Sequence, residues 1–124
     1  MLRLEVEHLG NVVIFHVNGT LYLDSINYVE SAWVEQLSKK PRVIAIDCKN
    51  LDQVDSTAIG TLVKFFNHAM NLEIHLIFLD LNKTIMKLFE TAKLNRFFNV
   101  TTKQNFENSY LLDKSEINTT GSII

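Results

Sequence analysis

The residues best suited to chemistry in this sequence stand together between Asp47 and Gly60. Asp55, Ser56 and Thr57 follow one another directly before a stretch whose apolar residues recur at helical spacing. Asp55 or Ser56 can accept hydrogen bonds from the free N–H groups at the start of that helix. The same helix end carries partial positive charge, which favours a phosphate group on Ser56 or Thr57. The residues alone therefore leave open a plain capping serine and a phosphorylation site.

Phosphorylation and catalysis would place different chemical demands on Ser56. A phosphate there would add about −1.5 to −2 charge at pH 7 and repel a partner fitted to the neutral hydroxyl. A catalytic serine would instead need a base within hydrogen-bond reach and an oxyanion hole. No Gly-x-Ser-x-Gly motif surrounds Ser56, and no histidine is near it in the sequence. We therefore expect a binding protein and not an enzyme.

Composition and charge narrow the classes of partner. The 12 Lys and Arg residues against 14 Asp and Glu give a net charge of −2, which argues against nucleic acid as the main partner. The single cysteine, Cys48, excludes an intramolecular disulfide and fits a reducing compartment. The four histidines are scattered, and no metal-ligand spacing or glycine-rich phosphate loop is present. We expect no metal and no cofactor.

The sequence also gives no sign of membrane insertion. Its first residues alternate polar and apolar, unlike the apolar core of a signal peptide. No apolar run approaches the roughly 20 residues needed to cross a bilayer. The expected location is the cytoplasm.

The apolar patterns predict the strands and helices around the Asp55–Thr57 segment. A hairpin is predicted first, with Asn18-Gly19 ending its second strand, and helices then alternate with strands. This order predicts an α/β fold with a mixed central β-sheet and amphipathic helices mainly on one face. The predicted strands are 3–8, 12–17, 43–46, 74–79 and 100–102, the predicted helices are 26–37, 84–92 and 105–112, and 47–55 is predicted as a loop.

The apolar residues of the helix that follows Ser56 predict which of its sides faces the core. Its inward stripe is predicted to consist of Ile59, Leu62, Val63, Phe66, Ala69 and Met70. Phe65 is predicted at the margin of this stripe, as core edge or as a contact anchor, and His68 on the solvated side. The expected domain covers residues 1–112, and residues 113–124, which lack periodicity, are expected to form a flexible tail.

The segment around Ser56 also resembles the signature of the STAS domain family. In that signature a buried strand ends in Asp and leads through a loop to Asp-Ser-Ser/Thr-Gly/Ala before a helix. Here the matching residues are Ile46-Asp47, Leu51 and Val54-Asp55-Ser56-Thr57-Ala58-Ile59-Gly60. Val17-Asn18-Gly19-Thr20-Leu21 and the later Leu94, Phe97 and Phe98 resemble further family segments, so the similarity covers roughly residues 3–112.

The resemblance implies a function in the anti-sigma factor antagonist branch of the family. There the serine after the aspartate is phosphorylated by a serine kinase that also sequesters a sigma factor, and a phosphatase resets it. By position this residue is Ser56, with Thr57 the lesser candidate. The implied partner-binding residues are Asp24, Asp52, Asp55, Ser56, Thr57, Gly60, Thr61 and Lys64. The alternative is a STAS subunit that is not phosphorylated, within a transport or multi-protein signalling assembly.

Overall fold

Six strands and four α-helices are assigned within residues 1–112, the part of the chain that the computed structural model describes. The predicted tail, 113–124, lies outside the described residues. The strands are β1 (Leu2–Leu9), β2 (Val12–Leu21), β3 (Val43–Asp47), β4 (Leu51–Val54), β5 (His75–Leu79) and β6 (Asn99–Thr101). The helices are α1 (Ile26–Leu37), α2 (Ser56–Asn71), α3 (Lys83–Thr91) and α4 (Lys103–Phe106), which continues into a π-helical segment, Glu107–Leu112.

The strands form one mixed sheet in the order β1-β2-β3-β5-β6. The pair β1–β2 is antiparallel, and every other pair is parallel. The first half of β2 pairs with β3, and its last residues, from Gly19 to Leu21, pair with β4. Because β2, β3, β5 and β6 run in one direction, their carboxyl ends meet at a single edge of the sheet. This carboxyl edge holds the start of α2.

Helices cover both faces of the sheet, but unequally. Three helices, α1 to α3, bury their apolar sides with one set of strand residues, including Phe15, Ile46 and Phe78. The intervening strand residues form a smaller cluster on the other face, where Phe106 of α4 is 1% exposed. This explains why β3 and β5 are continuous apolar runs, since both of their faces are covered. The predicted α/β class with helices mainly on one face is confirmed.

Strand β2 continues through the glycine that was predicted to end it. Gly19 has φ +102°, a conformation that other residues rarely adopt. A Cβ atom at this position would overlap the carbonyl oxygen of Met1. The strand register shifts between Gly19 and Thr20, so the glycine marks an irregularity inside the strand. The prediction of a strand end at Asn18-Gly19 was wrong.

The segment predicted as a loop before α2 contains the short strand β4. Its end residues, Leu51 and Val54, are buried, whereas Asp52 and Gln53 between them are exposed. Four residues with this pattern give no clear strand signal, and β4 exists because β2 extends far enough to pair with it. As a result, the chain enters α2 from a paired strand.

Helix α2 is rotated relative to its predicted orientation. Phe65, placed at the stripe margin by the sequence, is 2% exposed and stacks on Trp33 of α1 with ring centroids 4.3 Å apart. Met70, predicted to face inward, is 60% exposed. Because α1 packs along one flank of α2, the buried side shifts toward that helix. Phe65 is therefore a core residue and is not available as a contact anchor.

Candidate functional site

The start of α2 is held by the side chain of Asp55. One carboxylate oxygen, Oδ1, accepts a hydrogen bond from the N–H of Ala58 at 2.8 Å. The other, Oδ2, accepts one from the N–H of Leu23 at 2.8 Å, in the segment that follows β2. The backbone N–H of Asp55 in turn donates to the carbonyl of Leu21. Asp55 therefore caps the helix and also fixes the loop after β2 beside it.

Ser56 is the first residue of α2, and its side chain is exposed. Thr57, the next residue, is exposed as well. The cap is already supplied by Asp55, so the helix start does not depend on the Ser56 hydroxyl. Within residues 1–112, Ser56 makes no side-chain hydrogen bond. Of the two interpretations left open by the sequence, the capping serine does not fit this geometry.

The exposed side of α2 continues from Ser56 through Gly60. A Cβ atom built on Gly60 would meet nothing within 4 Å, so internal packing does not require a glycine there. Lys64, one turn further, forms an ion pair with Glu30 of α1 at 3.0 Å. Thr61 lies on the other side of the helix: it is 6% exposed, and its hydroxyl donates to the carbonyl of Thr57. We therefore leave Thr61 out of the surface proposed below.

The loop after β2 lies against the start of α2. Tyr22, Leu23, Asp24 and Asp55 line one shallow depression on this surface. Leu23 is 67% exposed, an unusual apolar group next to two carboxylates. The structure thus brings the predicted residues Asp24 and Asp55 together.

Asp52 belongs to the neighbouring strand β4 and is exposed. Its backbone is tied to the start of α3, where the Asn82 side-chain amide donates to the carbonyls of Leu51 at 3.0 Å and Asp52 at 3.3 Å. The Oδ1 atom of Asn82 accepts from the N–H of Ile85 and so caps α3. The side chains of Asp55 and Asn82 therefore cap α2 and α3, and each also forms hydrogen bonds to a neighbouring segment at the carboxyl edge.

Comparison with known proteins places this architecture in a family. The family model described as STAS domain matches residues 3–109. The chain belongs to the STAS domain family. No curated protein sequence matches it significantly.

Solved structures similar to this STAS domain include two bacterial proteins described as an anti-sigma factor antagonist and a cell fate determinant, and a sulfate transporter family protein. An anti-sigma factor antagonist from Mycobacterium paratuberculosis has 14% identity and a TM-score of 0.79, covering 88% of this chain and 93% of that one. The Bacillus cell fate determinant SpoIIAA in its phosphorylated form has 15% identity and a TM-score of 0.70, covering 86% and 98%. A sulfate transporter family protein from Wolinella succinogenes has 12% identity and a TM-score of 0.68, covering 77% and 80%. At these identities the likeness shows the fold.

A charged network near the same edge of this STAS domain was not predicted from the sequence. His16 of β2 lies between Asp47 of β3, at 2.8 Å from its Nδ1 atom, and Glu7 of β1, at 2.9 Å from its Nε2 atom. Partial burial lowers the pKa of His16, but the hydrogen bonds and charges of Glu7 and Asp47 outweigh it, so the pKa lies above its usual value. Strand register is the signal that could have shown this, because His16 is directly opposite Asp47.

The burial of two further residues of the STAS domain, His68 and Cys48, can be compared with the predictions. His68 was predicted to be solvated, but it is half-buried, and the Trp33 indole N–H donates to its Nδ1 atom at 3.4 Å. Cys48 is 1% exposed, as expected for a small buried residue. Burial, together with the charges of Asp47 and Asp80, raises the pKa of its thiol.

No group of three or more His, Cys, Asp or Glu side chains in residues 1–112 is arranged to hold a metal ion. Among the helices of those residues, none has the length and apolar character needed to cross a bilayer.

Proposed function

We propose that this STAS domain is an anti-sigma factor antagonist controlled by phosphorylation of Ser56. In its unphosphorylated form it binds an anti-sigma factor that is also a serine kinase, and a sigma factor is released. The kinase then phosphorylates Ser56 and ends the complex, and a phosphatase resets the cycle. The protein acts by binding and regulates transcription in the cytoplasm.

The observation that carries this proposal is the division of roles between Asp55 and Ser56. Asp55 holds both the helix start and the neighbouring loop, which leaves the Ser56 hydroxyl exposed. A serine that contributes nothing to its helix cap can be modified without loss of the fold. A phosphate at the first position of α2 is also favoured by the partial positive charge of the helix end.

The surroundings of Ser56 support an electrostatic switch. Asp24 and Asp55 line the adjoining depression, and Asp52 is exposed on the neighbouring strand. Lys64, on the same helix, is already paired with Glu30. Phosphorylation would therefore add negative charge to a surface that is already acidic. A kinase surface that accepts this site must tolerate the carboxylates and is expected to lose affinity when the phosphate is added.

The exposed groups that surround Ser56 define the proposed partner surface. Thr57 and Gly60 continue it along α2, and the exposed Leu23 adds apolar area beside the carboxylates. Because Gly60 has no side chain, a partner can approach the backbone of α2 closely at this point. The surface thus consists of Leu23, Asp24, Asp52, Asp55, Ser56, Thr57, Gly60 and Lys64.

The proposal can be tested with three baits compared in lysate from the source cells. Ser56→Ala keeps the site neutral, and Ser56→Asp imitates the added charge. Thr84→Asp places the same charge at the start of α3, where Thr84 is exposed, and serves as the matched control. We expect wild type, Ser56→Ala and Thr84→Asp to capture a serine kinase that binds a sigma factor. Ser56→Asp should reduce that capture by about 30-fold or more, the effect of a charge mismatch inside an interface.

The same experiment separates the proposal from its alternative. The similarity to a sulfate transporter family protein favours a STAS module within a transport assembly as the second candidate. Capture of transporter subunits equally by all baits would support that candidate and contradict the phosphorylation switch.

A further inference from the structure

Within residues 1–112, no strand pairs with the outer edge of β1. β1 is the terminal strand of the sheet and pairs only with β2 within residues 1–112. The N–H of Thr20 donates to the carbonyl of Met1 at 3.4 Å, which sets the phase of the antiparallel ladder. Hydrogen-bonded and non-hydrogen-bonded pairs alternate along such a ladder, so the backbone N–H and C=O groups of Arg3 and Glu5 point toward β2. Leu2, Leu4, Val6 and His8 direct theirs outward.

The side chains of β1 separate into an apolar and a charged row. Leu2, Leu4 and Val6 are half-buried and pack against the core beneath the helices. Arg3 and Glu5 are exposed on the opposite face and form no ion pair within residues 1–112. Charged side chains commonly protect an edge strand from pairing when they repel a second strand. Here the two unpaired charges have opposite signs, so the row is self-complementary.

We propose that β1 pairs antiparallel with β1 of a second copy of this chain, with Leu4 opposite Leu4 of that copy. In this register Leu2 lies opposite Val6, so the apolar rows of the two strands are continuous. Arg3 lies opposite Glu5 of the second copy, and the two-fold symmetry forms this pair twice. Leu4 then belongs to a hydrogen-bonded pair, and the Arg3–Glu5 pairs fall at the closer, non-hydrogen-bonded positions.

The charges distinguish this register from its nearest competitor. A shift of one residue in each strand would place Arg3 opposite Glu7 but would bring Glu5 opposite Glu5 of the second copy. Like charges directly opposite are destabilising. Glu7 is also already bound to His16 at 2.9 Å. The register centred on Leu4 is therefore the one that the charges favour.

The pairing leaves the proposed phosphorylation site accessible. The Nε2 atom of His8 lies 2.7 Å from Oε1 of Gln36, which places α1 above β1. The Lys64–Glu30 pair places α2 along α1. Ser56 therefore lies away from the β1 edge, and the dimer would present two separate Ser56 surfaces. This inference does not depend on the proposed function, so either can fail without the other.

Sedimentation equilibrium of the purified chain, with charge-reversal variants, tests the pairing. We expect a monomer–dimer equilibrium for wild type. Arg3→Glu and Glu5→Arg should each raise the dimer dissociation constant at least about tenfold, because each turns two attractive pairs into repulsive ones. The double variant Arg3→Glu/Glu5→Arg restores opposite charges and should return the constant to within about threefold of wild type. Glu90→Arg, an exposed reversal on α3, is the control and should leave it unchanged.

Each other outcome contradicts the proposal. A wild-type chain that remains monomeric at its highest soluble concentration overturns it. A dimer that is insensitive to both single reversals overturns the β1 edge as its interface. Weakening by Arg3→Glu alone, without restoration in the double variant, overturns the register centred on Leu4. Circular dichroism of every variant shows that a loss of dimer is not a loss of fold.

Discussion

The starts of α2 and α3 are built alike at the same edge of the sheet but present different chemistry. Each follows a strand and is capped by an Asx side chain, Asp55 in α2 and Asn82 in α3. Each cap also binds a neighbouring segment, Leu23 in the first case and the carbonyls of Leu51 and Asp52 in the second. The first residue after the cap is Ser56 in α2 and Lys83 in α3.

The fold requires the caps of α2 and α3 but not a hydroxyl after them. The fold needs the Asx caps, because unsatisfied N–H groups at a helix start lower stability. It does not need a hydroxyl at the first helical position, since α3 begins with lysine there. Ser56 is therefore the residue at this edge whose presence calls for an explanation outside the fold.

Removing the cap of α2 should destabilise the fold more than any other substitution considered below. Asp55→Ala removes hydrogen bonds from the N–H groups of Ala58 and Leu23, and both bonds involve a charged acceptor. We expect it to lower the free energy of unfolding by about 2–3 kcal/mol. Asn82→Ala, the corresponding change in α3, should cost about 1–2 kcal/mol because its cap is uncharged. Urea denaturation measures both, and a cost of Asp55→Ala below about 1 kcal/mol would contradict the role of Asp55 as the cap of α2.

Gly60→Ala should act in the opposite direction. An exposed glycine inside a helix costs stability relative to alanine, and a methyl group here meets nothing within 4 Å. We expect the free energy of unfolding to rise by about 0.5–1 kcal/mol, measured by urea denaturation. Partner capture should fall at the same time if the backbone of α2 is approached closely. Destabilisation would mean that internal packing requires this glycine.

The two helix starts should be compared at one pH, because His16 makes the stability of the sheet depend on pH. Its folded-state pKa is raised above the ordinary 6.5 by Glu7 and Asp47, which outweigh the effect of burial. The stabilisation is therefore fully present below pH 6.5 and is lost as the pH rises through the folded-state pKa. Urea denaturation across this range should show stability falling more steeply in wild type than in His16→Gln. Parallel curves would show that His16 does not titrate as the structure indicates.

Ser56→Ala should change the stability of the fold very little. Because Asp55 supplies the cap, we expect the free energy of unfolding to change by less than about 0.5 kcal/mol. The measurement is again urea denaturation, beside Asp55→Ala. A loss of about 1 kcal/mol or more, typical of a removed cap, would return Ser56 to a structural role.

The sequence was sufficient to predict the fold class, most strands and helices, and the position of Ser56 at the start of a helix. Apolar runs such as Val43–Ile46 and the helical spacing of 26–37 are strong signals, and the structure has strand and helix there. These features depend on neighbours along the chain, and a single sequence contains that information.

The features that could not be predicted depend on neighbours across the fold. The strand β4 needs the end of β2 as its partner, and the buried side of α2 is set by the stacking of Phe65 on Trp33. The His16 network joins three strands whose register is not evident before the sheet is assembled. For the site, the segment Asp55–Thr57 was identified, but which residue caps α2 became clear only from the contacts of Asp55 with Leu23 and Ala58.

Phosphorylation of Ser56 is tested most directly by peptide mass spectrometry of the protein purified from its own cells, beside the Ser56→Ala variant. The proposal predicts a phosphate on Ser56 under some growth or stress condition and its absence from the variant. A Ser56 that stays unmodified under every condition, or a phosphate confined to Thr57, would contradict the assignment of Ser56 as the switch.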